Sequence, residues 1–288
     1  MRIATRGSSL ARWQAESVAA WLRGARPELS CELVVIETTG DRRQDLPIFE
    51  LGGQGVFVKE VQAAVLDGRA DLAVHSAKDL PSLSTPGLLI GAYPERDDPR
   101  DALVGAALAD LAPGATVATG SVRRRVQLAA ARPDLSFADL RGNIATRLQR
   151  VPPGGAVVVA VAALVRLDLA DRIAEVLEPA VVLPQVAQGA LAVECREDDA
   201  GALELLAAID DPAVRVPVEA ERAFLARLGG GCDLPVGAFA TVDGDRLHIE
   251  GLVASADGVP HRDRRSGPAG AGEVLGRDLA AGLLERTR

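Results

Sequence analysis

Apolar and polar positions alternate over residues 2–5, then change to a helical spacing with Leu10, Trp13, Val18 and Leu22 on one stripe. The step between the two patterns, Gly7-Ser8-Ser9, predicts a helix start with Ser8 or Ser9 as N-cap. An apolar run predicts a second strand over 31–37. A Gly-rich loop at 51–55 leads into a predicted helix over about 56–66. Further strands are predicted over 71–74, ending at His75-Ser76-Ala77-Lys78-Asp79, and over 88–92. Strands alternating with helices predict an α/β unit with a parallel sheet.

The pattern restarts after the polar run 95–101. A strand is predicted over 116–118, then a helix capped by Gly120-Ser121 and ending near Pro133. A short strand over 135–137 precedes a helix within Arg141-Gly-Asn-Ile-Ala-Thr-Arg147. The fully apolar run 156–160 reads as a buried strand, followed by a helix to about 178 and strands over 181–183 and 190–194. This is a second α/β unit of similar size. From Gly201 the character changes. Helices over 202–209 and 218–228 are followed by Gly229-Gly-Gly-Cys-Asp233, by an alternating stretch 239–253 around the hairpin signal Asp243-Gly244-Asp245, and by a last amphipathic helix over 273–284. This predicts a small α+β third unit.

Composition narrows the partners. The formal net charge of -8 opposes nucleic acid, and an aromatic content of 3% leaves few platforms for stacking bases. There is no run of about 18 apolar residues and no apolar leader near the start, so the expectation is a cytoplasmic protein without a membrane span. Three scattered cysteines, Cys31, Cys195 and Cys232, predict free thiols and no metal site. Of 32 basic residues only Lys59 and Lys78 are lysine, so most arginines serve as ordinary surface charge.

Four constellations carry possible chemistry. Thr5-Arg6-Gly7-Ser8 joins a guanidinium, a hydroxyl and backbone N–H groups at a helix start, which suits a carboxylate or phosphate; plain N-capping explains it equally well. His75-Ser76-Ala77-Lys78-Asp79 lies at a strand's carboxyl end, where α/β sheets bind ligands, although Asp79 before Pro81 also suits a simple turn and His75 alone reads as a core histidine. Arg123, Arg124, Arg125, Arg141 and Arg147 cluster at helix starts, where cations oppose the macrodipole. A bound polyanion would neutralise them, and a solvated basic face is the alternative. Cys232, behind three glycines, is either a nucleophile on a pliant loop or a lone thiol, whereas Cys31 and Cys195 read as core.

Several long segments carry a resemblance. RIATRGSSLA, GVFVKE, DLAVHSAKDLP, RDDPRDALV, SVRRR, LRGNIATRL, LPQVAQGALAVECR and ERAFLARLGGGC, in this order along the chain, resemble the porphobilinogen deaminase (hydroxymethylbilane synthase) family. The resemblance implies two periplasmic-binding-protein type II-like α/β domains, with the active site in the cleft between them, plus a small α+β C-terminal domain. The implied boundaries are 1–95 with 189–208, 96–188, and 209–288. It implies an enzyme, a transferase of tetrapyrrole (heme) biosynthesis. Such enzymes condense four porphobilinogen molecules head to tail, release ammonia and hydrolyse off a linear tetrapyrrole.

The same resemblance implies a dipyrromethane cofactor held by a thioether to Cys232. Lys78, Asp79, Ser121, Arg123, Arg124 and Gly142 match cofactor-binding positions. Arg6, Ser8, Phe57, Arg141, Arg147, Arg166 and Gln188 match substrate-binding positions, and Asp79 matches the catalytic carboxylate. Each added ring brings two carboxylates, which gives the arginines a purpose; Arg125 reads as surface. A monomer that passes its product to uroporphyrinogen-III synthase is implied as well. The chain departs from the family pattern at Glu50 and Gln54, where some members have lysine, and at Gly120, where many have serine. The rivals are a solute-binding protein that performs no chemistry and a nucleic-acid binder.

Overall fold

The structure, a computed structural model, describes residues 1–42, 55, 57–229 and 235–287. Two compact units are present: Met1–Asp97 with Ala190–Arg215, and Asp98–Gly189 with Val216–Arg288.

The first unit begins with β1 (Arg2–Arg6), α1 (Ser9–Ala25), β2 (Glu32–Ile36), α2 (Thr39–Arg42) and α3 (Lys59–Leu66). It continues with β3 (Leu72–Ser76), a 3-10 turn at Ala77–Asp79, and β4 (Leu88–Ala92). The second unit contributes β5 (Asp101–Val104), β6 (Thr116–Ala118), α4 (Val122–Ala131), β7 (Ser136–Ala138), α5 (Ile144–Leu148), β8 (Ala156–Ala160), α6 (Val161–Val165) and β9 (Glu175–Leu177). The chain then returns to the first unit with β10 (Leu191–Arg196) and α7 (Ala200–Ala207). It ends with α8 (Pro212–Leu228), β11 (Val236–Asp243), β12 (Arg246–Ala254), β13 (Pro260–Pro268) and α9 (Gly272–Arg286).

The first sheet has the order β2-β1-β3-β10-β4 and the second β7-β6-β8-β5-β9. Both are mixed, which corrects the expectation of parallel sheets. β1 runs parallel to β2 and β3, but β10 is antiparallel to β3 and β4. Likewise β6 runs parallel to β7 and β8, while β5 is antiparallel to β8 and β9. A short βαβ crossover imposes parallel pairing, whereas a strand that arrives from a distant part of the chain escapes that constraint.

Apolar residues on both faces of the first sheet explain its unbroken hydrophobic strands. Ile3, Leu72, Leu191 and Val193 pack with Val18 and Leu22 of α1 and Leu206 of α7, whereas Ala4, Ala73 and Leu88 pack with Val61 and Val65 of α3. The buried face of α1 is Ala11, Gln14, Ala15, Val18, Ala19 and Leu22; Leu10 and Trp13 of the predicted stripe lie at its edge, half-buried.

Other differences have local causes. The helix predicted to reach about 178 stops after α6, because Asp168 takes a left-handed φ of 55° and residues 175–177 pair with β5. Residues 181–183 form a turn rather than a strand. β5 is hidden at the end of a polar run. β13, with the polar sequence His261-Arg-Asp-Arg-Arg-Ser266, is an edge strand of the three-stranded sheet β11-β12-β13 and leaves most of its side chains half-buried or exposed. Among the described residues no helix is long and apolar enough to cross a membrane.

Candidate active site

Local chemistry at the end of β1 aims Arg6. Thr5 is buried, and its hydroxyl donates to the Ala11 carbonyl at 2.9 Å, tying the strand end to the first turn of α1. Ser8 is the N-cap of α1; its extended backbone lets Oγ accept from the Ala11 N–H at 3.3 Å. Arg6 therefore sits beside a helix N-terminus, where the field favours anions. Its guanidinium carbon lies 4.2 Å from the centre of the Phe57 ring, a cation–π contact. The same ring lies so close to Gly40 that a Cβ at that position would overlap it.

β3 runs two residues beyond its predicted end, so His75 and Ser76 belong to the strand, and the 3-10 turn then presents Asp79. Gln14 of α1 is buried and donates to Ser76 Oγ at 2.8 Å. Arg6, Ser8, Gln14, Phe57, His75 and Asp79 line one open concavity of about 390 Å³, including solvent at its mouth. Asp79 is half-buried, and among the described residues its carboxylate has no hydrogen-bond or ion-pair partner. Lys78 beside it is half-buried.

The second unit arranges its charges differently. Ser121 caps α4, its Oγ accepting from the Arg124 N–H at 3.4 Å, so Arg123 and Arg124 start the helix. Both point inward, 3% and 6% exposed. Arg123 Nη2 donates to Asp101 Oδ2 at 2.8 Å and Arg124 Nη2 to Asp101 Oδ1 at 2.6 Å. Arg123 Nη1 also donates to the Leu183 carbonyl at 2.6 Å and Arg124 Nη1 to the Val158 carbonyl at 3.0 Å. Gln188, also buried, donates to Asp101 Oδ1 at 2.8 Å and to the Pro99 carbonyl at 2.7 Å.

Burial alone would push the Asp101 pKa up. Arg123 and then Arg124 outweigh it and hold the carboxyl well below the usual carboxylate range. Arg123 is pulled down by burial and by Arg124, against Asp101. One carboxylate between two guanidiniums is strongly stabilised and cannot fully compensate both. The cluster thus retains one excess positive charge, and Arg124 Nε is buried without a hydrogen-bond partner among the described residues. The cations that oppose the α4 dipole are in part answered by the protein's own Asp101.

The remaining predicted residues lie as follows. Arg147 Nε donates to the Gly142 carbonyl at 2.8 Å, beside Asn143, the N-cap of α5; Gly142 takes a φ of 109°. Arg141 is half-buried, and its side chain has no partner among the described residues. Arg166 is buried and donates to the Gly189 carbonyl at 2.6 Å. Arg125 turns outward to an exposed Asp139. A Cβ at Gly120 would stand 2.6 Å from the Leu140 carbonyl, so serine does not fit there without a shift. Cys195 is buried, its thiol pushed up to about 11 by burial and then by Asp199, and Cys31 is only half-buried. Cys232, Glu50, Gln54 and nearly all of the Gly-rich loop lie outside the described residues.

The structure therefore brings Arg6, Ser8, Phe57 and Asp79 together in one unit and Ser121, Arg123, Arg124 and Gln188 together in the other. Sequence reasoning passed over Asp101. A charged residue opening an apolar run, as in Asp101-Ala-Leu-Val104, was the available signal.

Two family models match the chain. One described as porphobilinogen deaminase, dipyromethane cofactor binding domain, covers residues 1–204; one described as porphobilinogen deaminase, C-terminal domain, covers residues 216–285. The chain is 48% identical over 292 residues to the porphobilinogen deaminase of Syntrophotalea carbinolica, spanning 99% of this chain and 93% of that protein. Its identity to the namesake from Roseiflexus castenholzii is 48% over 290 residues, 99% and 96% of the two chains. For Acidothermus cellulolyticus the figures are 48% over 294 residues, 99% and 88%.

Proposed function

The chain belongs to the porphobilinogen deaminase family, and from that premise we propose which of its residues carry the reaction. The reaction joins four porphobilinogen molecules head to tail on a covalently held dipyrromethane, releases ammonia, and frees the linear tetrapyrrole hydroxymethylbilane by hydrolysis. Asp79 is the catalytic carboxylate. The observation that carries this assignment is its half-buried carboxylate, unpartnered among the described residues, in the same concavity as the Arg6 guanidinium. A carboxylate already held by an arginine would be neutralised; this one is available to pyrrole N–H groups and to the positive charge that develops as ammonia departs.

Arg6 and Ser8, at the α1 N-terminus, hold a substrate carboxylate, and Phe57 packs on a ring. Dipyrromethane, when bound, supplies the pyrrole to which the first substrate is joined. The residues present fit its acidic arms. Two guanidiniums share one carboxylate, and the buried Nε–H of Arg124 is left for a further acceptor. Arg123, Arg124, Ser121, Lys78 and Gly142 hold that group, with the thioether at Cys232. Arg141, Arg147 and Arg166 bind the carboxylates of added rings, and Gln188 acts from behind by fixing Asp101. The division 1–95 with 189–208, 96–188 and 209–288, the cytoplasmic monomer, and delivery of product to uroporphyrinogen-III synthase are further proposals that rest on the family resemblance.

Denaturing mass spectrometry tests the anchor. The wild-type chain should carry a dipyrrole-sized adduct that Cys232→Ser lacks; an unmodified wild-type chain, or an adduct retained by the variant, overturns the assignment. For the pocket, Asp79→Asn should abolish most ammonia release while leaving the adduct in place.

A further inference from the structure

We infer that a buried imidazole–carboxylate pair, His75 with Glu194, holds a labile proton at the floor of the Asp79 pocket and passes it during the reaction. His75 is the member that faces the pocket, and Glu194 is its positioning residue. The inference rests on the reading of that pocket given above.

β3 and β10 are antiparallel, with Ala192 opposite His75 and Glu194 opposite Ala73, so His75 and Glu194 are diagonal neighbours on one face of the sheet. Their side chains are 4% and 2% exposed, and His75 Nε2 lies 3.1 Å from Glu194 Oε2. The nitrogen is close enough for a charge contact but out of line for a hydrogen bond. Glu194 is held from α3. Gln62 Nε2 donates to Oε1 at 3.0 Å and to Oε2 at 2.9 Å, and Thr85 donates to Gln62 Oε1 at 3.0 Å, which fixes the amide with its nitrogen toward the carboxylate. Two side chains, Gln62 directly and Thr85 through Gln62, thus orient one carboxylate toward a pocket-lining histidine.

A buried ionisable pair is an expensive way to fill a core, because apolar residues of the same volume are often as stable or more so. Burial also restricts the pair's charge. Any net charge left on the pair is costly there, so a proton that His75 takes up is passed on rather than retained. Charged neighbours are Arg6 at the end of β1, Asp79 on the turn after β3, and Glu194 on β10. α1 and α3 contribute the uncharged Gln14 and Gln62 on this side.

Each condensation has a proton to move. The C–N bond of the aminomethyl arm breaks, and nitrogen leaves with the electron pair as ammonia. A ring C–H is replaced by a C–C bond, and the displaced proton ends on ammonia as ammonium. The pair accepts that proton at His75 and returns it to the departing ammonia, so no net proton is gained or lost per turn.

Histidine-selective NMR and kinetics of the holoenzyme test this together. The chain has only three histidines, His75, His248 and His261, so His75→Gln identifies the ring resonances. Glu194→Gln should move the His75 resonances alone, lower kcat about tenfold with KM unchanged, and alter the pH dependence of kcat. His75→Gln should lower kcat about a hundredfold. The double variant should lose no more than His75→Gln, and Glu194→Asp should recover most of the rate. Variants that lose thermal stability but keep kcat and its pH profile would make the pair merely structural and overturn the inference; so would a kcat loss with an unchanged pH profile, or unmoved His75 resonances in Glu194→Gln. Should Glu194→Gln not fold, His75→Gln and Glu194→Asp decide by the same criteria. Asp79→Asn, assayed alongside, separates the two readings: full activity there defeats the pocket assignment, whereas an inactive Asp79→Asn with unaffected His75 and Glu194 variants defeats the proton role alone.

Discussion

In the first unit Asp79 is half-exposed and takes no partner among the described residues; in the second Asp101 is fully buried and receives donors from Arg123, Arg124 and Gln188. The two carboxylates are suited to opposite tasks. A group meant to meet a developing charge has to be left uncompensated and reachable. A group meant to aim cations has to be consumed by them, and it gains rigidity by losing reactivity. Arginines show the same contrast. Arg6 lies over an aromatic ring at the edge of an open concavity, whereas Arg123 and Arg124 are buried and partly neutralised before any ligand arrives.

The largest expected effect breaks the buried side of this comparison. Asp101→Asn leaves two buried guanidiniums without their counter-charge and should cost about 3–5 kcal/mol of stability, read as a lower urea midpoint. The same carboxylate sets an acid limb. Because its folded pKa is depressed, its contribution is present above the ordinary unfolded value, about 4, and is lost as pH falls through the lower folded one. Acid titration of the wild type should therefore show stability falling below about pH 4, with a shallower limb in Asp101→Asn.

Asp79→Asn tests the open side. It should raise the barrier by about 3 kcal/mol, roughly a hundredfold in rate, with the melting temperature unchanged because no partner among the described residues is lost. Equal turnover in variant and wild type would remove Asp79 from the mechanism. A smaller effect comes from Gly40→Ala. The new Cβ collides with the Phe57 ring and should cost about 1–3 kcal/mol through displaced packing, seen as a raised KM and a lower melting temperature. Smallest of all is Arg125→Ala. Its partner Asp139 is exposed, and neither the adduct mass, turnover nor melting temperature should change.

Element types were widely legible because both sheets are built from short apolar strands bounded by capping residues. Ser8 and Ser121 announce α1 and α4, and the run 156–160 announces a strand buried along its whole length. β13 was not legible, since an edge strand that leaves much of its surface to solvent carries little apolar signal. β5 was concealed for the opposite reason: its first residue, Asp101, is charged yet buried, a combination that only partners from α4 and the segment before β10 make stable. The ends of elements followed the same rule. Asp168, in a left-handed conformation, stops α6 where the apolar spacing alone continues.

The sequence by itself determined the family, the ordered motifs and the residue types at the site, because local capping, periodicity and motif spacing are properties of neighbours along the chain. Tertiary structure decided which charges are spent and which are kept. Nothing in the spacing of Asp79, Asp101, His75 and Glu194 says that the first stays unpartnered among the described residues, the second is enclosed by two arginines, and the last two meet across antiparallel strands 119 positions apart in sequence. Those outcomes depend on sheet order and burial, since the cost of a charge is set by the groups that folding brings around it.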